Sequence, residues 1–150
     1  MIFNRTQSDV NEAITIRAEK IQKGIELTSD DVISLERGML TFNTLNRIEE
    51  KQETLKNLIN ELGYWNTNIS NNHWDKTKIF TESDFQRIIN NTKILSDAFL
   101  TFSTTPKKIN TSYHFDNINS IERILYDLDL MIDEVKSLYK ECGNIESGDD

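Results

Sequence analysis

The sequence predicts an all-α fold: an antiparallel bundle of four to five helices with a Trp/Asn-rich loop. Three observations lead there. Apolar residues recur at spacings of three and four over most of the chain, which places them on one face of successive helices. No sustained period-2 alternation bounded by turn residues marks a strand. Pro106 is the single proline, so helices can run long without interruption.

The first helix is expected from about Ser8 to Gln22. Thr6 or Ser8 caps it, Asp9 complements its positive end, and Val10, Ile14, Arg17 and Ile21 share a face. Gly24 closes it. The second follows Thr28, with Asp31 placed as in a capping box and Val32, Leu35 and Met39 as its apolar stripe. Gly38 marks its end or a kink. The third spans about Asn43 to Leu62, burying Leu45, Ile48, Leu55, Leu58, Ile59 and Leu62, with Gly63 as its stop.

Residues 64–80 change character. Tyr64, Trp65, His73 and Trp74 stand among Asn66, Asn68, Asn71 and Asn72, which is loop chemistry, with a short strand near Thr67–Ser70 as a weaker alternative. The fourth helix follows Thr81, with Asp84 in the capping-box position, and carries Phe85, Ile88, Ile89, Leu95 and Phe99 to about Leu100. After a connection over Thr101–Phe115, Asp116 caps the fifth. Its residues Ile118, Ile121, Leu125, Leu128, Ile132, Val135 and Tyr139 form a heptad-like seam, suited to a bundle interior or to an intermolecular coiled coil. Cys142 reads as a small apolar residue on the last turn. The domain organisation is thus one helical domain over 1–142 and a mobile acidic tail over 143–150.

Composition narrows function. The chain has 150 residues, enough for one domain with its own core. Its net charge is −8 and its basic residues are scattered, so no nucleic-acid partner is expected. The opening residues lack a signal-peptide apolar core and no apolar run nears the roughly 20 residues of a membrane span, so synthesis in a cytoplasm and no membrane partner are expected. A lone cysteine excludes an intramolecular disulfide and fits a reducing compartment. The two histidines, His73 and His114, lie in separate loops without ligand-spaced partners. No phosphate loop or nucleophile elbow occurs, so no cofactor, metal or catalytic residue is expected. The carboxylates Glu49-Glu50, Asp127, Asp129 and Asp133-Glu134 read as solvated helix faces.

Two features remain. Asn46-Arg47-Ile48-Glu49 is echoed by Asn119-Ser120-Ile121-Glu122, each placing Asn one helical turn before Glu. Asn46, Arg47, Glu49, Asn119 and Glu122 are therefore expected to meet across the bundle in a polar network that fixes helix register. Tyr64, Trp65 and Trp74 form the candidate interaction surface; alternatively Trp74 packs as a lid over the bundle end.

Several stretches together resemble a family of small helical structural proteins from the tail region of phages and prophages of low-GC Gram-positive bacteria. The family pattern has a glycine, an aromatic-Asn pair and Leu-Asn-Arg-Val-Glu; here stand Gly38, Phe42-Asn43 and Leu45-Asn46-Arg47-Ile48-Glu49. Gly63-Tyr64, then Trp74 and Phe80-Thr81, follow in order, with Phe80 replacing a proline. Ile118-Asn119-Ser120-Ile121-Glu122-Arg123-Ile124-Leu125 is similar to the family's last helix. Asn4-Arg5-Thr6 through Val10 resembles its start, and residues 142–149 its Ser-Gly-Glu ending. The pattern's second glycine is replaced by Thr41. The resemblance implies a non-catalytic tail or baseplate protein of the virion, contacting other virion or tail proteins; since virion parts work in many copies, either a homo-oligomer or a repeated docking site is expected. The alternative is an acidic helical module, such as an inhibitor or immunity protein, that covers a basic partner.

Overall fold

Threonine opens four of the helices. Thr6, Thr28, Thr41 and Thr81 each hold extended backbone and accept a hydrogen bond from the N–H three residues on. At Thr6, Thr28 and Thr81 an aspartate in that third position returns a bond to the threonine N–H, completing a capping box. The computed structural model describes residues 1–63 and 68–148, with 143–148 as helix backbone only. Its elements are α1 (Gln7–Ile16), continued by a π-helical turn over Arg17–Ile21, α2 (Ser29–Gly38), α3 (Phe42–Glu61), α4 (Glu82–Ala98) and α5 (Phe115–Gly148). Among the described residues there is no strand; Asn68–Ser70 is irregular and Thr67 lies outside them.

The capping aspartates are acid-sensitive. Arg37 and the Thr6 donors hold the Asp9 carboxyl down to about 2 from its usual 3.8. Lys20 and Thr28 lower Asp31, and Thr81 lowers Asp84. A depressed carboxylate stabilises the fold above its unfolded pKa and stops doing so as pH falls through the folded value. The urea midpoint is therefore expected to hold steady above about pH 5 and to fall between about pH 4 and 2. A midpoint unchanged down to pH 2 would contradict these caps.

Helices α3, α4 and α5 pack on one another around the main core. Its fully buried members include Ile48, Leu55 and Ile59 from α3, Phe85 and Leu95 from α4, and Ile121, Leu125, Leu128 and Ile132 from α5. The α5 seam thus faces the interior of its own bundle; Val135 packs at its margin and Tyr139 is exposed. The helix begins one residue before Asp116, whose N–H bonds to the His114 ring Nδ1 at 3.3 Å. It also continues past Cys142, where a tail is expected, to Gly148. At 34 residues it is about 51 Å long, against about 30 Å for the 20 residues of α3. Cys142 is exposed on the part that outruns the bundle.

Helices α1 and α2 form a hairpin with a core of its own, built from Ala13, Ile16 and Leu35 with Leu27 and Met39 at its edge. The expected α1 face is corrected here. Ile14 and Ile21 are exposed, and Val32 of the α2 stripe is too. The small residues Ala13 and Gly38 bring the two helices together on a different face. A Cβ on Gly38 would stand 2.0 Å from the Asp9 carbonyl oxygen and 2.5 Å from the Ala13 Cβ. Gly38 ends α2 as expected, but for close approach and not for a left-handed turn; Gly24 (φ 70°) and Gly63 (φ 87°) take that conformation. Gly38→Ala is expected to cost about 1–3 kcal/mol in thermal or urea unfolding, the usual penalty of overpacking. A neutral result would mean that the helices are not in contact.

Candidate functional site

The five residues of the Asn-x-Ile-Glu echo do not form one network. They form two clasps of the same design, each holding an extended stretch of chain against a long helix. Ile48 and Ile121 point into the core, so the Asn before and the Glu after each one flank it toward the helix margin.

On α3, the Asn46 Nδ2 donates to the Trp74 carbonyl at 2.9 Å, and its Oδ1 accepts the Trp74 N–H at 2.7 Å. The carboxamide thereby pairs with one residue's backbone as a neighbouring strand would. One turn later, Glu49 is 1% exposed, so of the Glu49-Glu50 pair expected on a solvated face only Glu50 is there. The Glu49 Oε2 accepts the Trp74 indole N–H and the Asn72 N–H (3.3 Å), and its Oε1 accepts the Arg87 guanidinium of α4. Arg87 and Asn91 also donate to the Ser70 carbonyl, at 2.9 and 2.8 Å.

On α5, the Asn119 Nδ2 donates to the Arg5 carbonyl at 3.0 Å and its Oδ1 accepts the Arg5 N–H at 3.1 Å. Glu122 is 0% exposed. Its Oε2 accepts Arg5 Nη1 (2.6 Å) and the Ile2 N–H (3.0 Å); its Oε1 accepts Arg47 Nη2 and Nε of α3, at 2.7 and 3.0 Å. Arg47 reaches on to Glu36 of α2 at 3.4 Å. In both clasps, Asn grips one residue's backbone. Glu takes that residue's own side-chain donor, a backbone N–H just upstream, and an arginine from the adjacent helix.

Both carboxylates are desolvated, and each is compensated by charge-assisted bonds from fixed donors. Such an arrangement specifies position more than it adds net stability. Of the expected network, Arg47 and Glu122 do meet across the bundle. Asn46 and Glu49 instead serve the loop, and Asn119 serves the segment before α1.

Trp74 is therefore not a surface residue but packs into the main core, the packed one of its two expected placements. It is 4% exposed, packed edge-on to Phe80, and is the side chain that seats its loop. Tyr64 and Trp65, the other two members of the expected surface, lie outside the described residues. Asp127, expected on a solvated face, is buried because the turn over 101–105 covers it: Thr105 Oγ1 donates to it at 2.6 Å and Arg123 pairs with it at 3.0 Å. Two polar contributors escape the pattern-based expectations. Gln52 sits on the α3 seam between Ile48 and Leu55 and donates to the Ile88 carbonyl and Thr92 Oγ1 of α4; its seam position is the signal that marks it. Arg87 carries no such local signal.

Among the described residues, no His, Cys, Asp and Glu cluster is arranged to hold a metal ion, and no helix is long and apolar enough to cross a membrane. In comparisons with known proteins, no family model, curated protein or solved structure matches the chain.

Proposed function

We propose that this protein is a non-catalytic structural component of a phage or prophage tail or baseplate region, acting by contact with other virion proteins. The observation that carries this reading is α5. It leaves the bundle with Leu138 and Tyr139 59% and 56% exposed, and with Leu130 exposed nearby. An apolar stripe on a projecting helix is a surface for another helix or a groove. The residues that carry the family resemblance add support. Asn46, Arg47, Glu49, Asn119 and Glu122 all hold chain segments in place, which is a scaffold's use of polar groups. The proposed location is the virion, after synthesis in a host cytoplasm, with tail proteins or further copies of the chain as partners.

The test is peptide mass spectrometry on density-purified particles released by the host that encodes the chain. Its presence in fixed ratio to known tail proteins supports the proposal; particles without it, with the chain confined to cells, overturn it. The net charge of −8 favours a second reading, an acidic module covering a basic partner. That reading requires a host-cell complex whose association slows steeply with added salt.

A further inference from the structure

Residues 1–38 are joined to the rest of the chain by directional polar contacts, by Met1 and Phe3 of the leading segment packing on the bundle, and by one short link. Their core is separate from the bundle core. Between the two lies a cavity of about 420 Å³, with Val10 and Ile14 of α1 on one side and Tyr113, Phe115 and Ile118 on the other. The α1 face that helical spacing marks for burial thus lines an open cleft, and Ile14 is 55% exposed. What anchors the hairpin is the Glu122 clasp, the Arg47–Glu36 pair, and Phe3 lying between Tyr126 and Arg123. The link between α2 and α3 is residues 39–41, extended at Met39 (φ −129°, ψ 155°).

We infer that the α1–α2 hairpin with its leading segment is exchanged between two copies of this chain, the Met1–Arg5 segment of one filling the Glu122 clasp of the other. The clasp reads the Ile2 N–H, the Arg5 backbone and the Arg5 guanidinium against a buried carboxylate. A second copy presents the same groups with the same charge complementarity. The Glu49 clasp cannot exchange this way, because its loop is tied at both ends between α3 and α4. Detaching the hairpin leaves its own core intact and gives up the packing of Met1 on the bundle core and of Phe3 on Tyr126. Re-docking on a neighbour restores these contacts, polar and apolar alike. Exchange of an identical element is a low-cost route to a dimer. Within one chain the short link gives the closed form a high effective concentration, so exchange grows with protein concentration.

The test uses full-length chains. Phe3 and Tyr126 rings lie 5.2 Å apart. One preparation carries Phe3→Cys and another Tyr126→Cys, both with Cys142→Ser. They are mixed at high concentration, diluted, and treated with a short bis-maleimide. A covalent dimer on a denaturing gel is expected, its yield rising with the mixing concentration. A chain bearing both cysteines, joined internally beforehand, is expected to lose the dimer by light scattering. Interchain product no greater than that of Phe3→Cys paired with the exposed native Cys142 overturns the inference, as does dimerisation of the internally joined chain. Native mass spectrometry of unsubstituted ¹⁴N and ¹⁵N chains guards against variants that misfold. Mixed-mass dimers that survive dilution support exchange, and monomers at every concentration overturn it.

Discussion

Replacing Glu122 by alanine is expected to lower the free energy of unfolding by about 3–5 kcal/mol, the cost of breaking a buried ion pair from one side. The Arg5 side chain is 3% exposed and loses the only carboxylate it pairs with among the described residues, while the Ile2 N–H loses its acceptor. Arg47, 30% exposed, can turn toward water or Glu36 and suffers less. Since small domains are stable by roughly 5–15 kcal/mol in all, this one change removes a large share. Urea unfolding followed by far-UV circular dichroism measures it. The paired replacement Arg5→Met with Glu122→Met is expected to recover part of the loss, because it removes the unpaired Arg5 charge but leaves the Ile2 N–H and Arg47 without the Glu122 acceptor. A loss below about 1 kcal/mol for Glu122→Ala, the level of an exposed pair, would mean that the carboxylate is not buried between its two arginines.

Trp74→Ala is expected to cost a similar amount, about 3–5 kcal/mol, for a large aromatic removed from a packed core. The indole fills space beside Phe80 and donates to Glu49. Trp74→Phe separates these contributions. It keeps most of the ring and removes the donor, so the expected loss shrinks to about 1–3 kcal/mol, the desolvation cost of an acceptor left short of a partner. Thermal unfolding of the two variants side by side tests the order. Equal losses would mean that the Glu49 bond contributes nothing, and a negligible loss for both would place Trp74 outside the core.

The local signals in the sequence translated directly into structure. Thr28 and Asp31, or Thr81 and Asp84, are three residues apart, and a capping box needs nothing from elsewhere in the chain. The α5 seam is legible over Ile118, Ile121, Leu125, Leu128 and Ile132, which are buried in register, but not at its end, where Val135 is marginal and Tyr139 is exposed. The Asn-x-Ile-Glu echo was legible as a repeated feature but not in its use. A carboxamide on a helix margin can pair with any extended backbone, and only the tertiary fold says that one copy meets Trp74 and the other Arg5. The α1 face is not legible from the spacing of its large residues, because the small ones set the helix contact. Ala13 and Gly38 permit a closer helix approach than Val10 and Ile14, and that approach decides the packing. Asp127 looked solvated because the turn that covers it comes from 22 residues earlier in the chain.

The two clasps share their chemistry but differ in the length of chain they close. Asn46 and Trp74 are 28 residues apart, whereas Ile2 and Glu122 are 120 apart. Loop-closure entropy grows with that span, so the Glu49 clasp can assemble early and the Glu122 clasp is favoured only after α3, α4 and α5 have collapsed. The two should therefore separate in time. In stopped-flow chevrons, Glu122→Ala is expected to steepen the loss on the unfolding side, raising the unfolding rate while leaving the folding rate nearly unchanged; Glu49→Ala is expected to slow folding as well. Equal partition for both would mean that the chain zips its two clasps together. With a late clasp, the bundle forms first and the α1–α2 hairpin is the final piece to latch, making it the part of the molecule that sets how long the native state lasts.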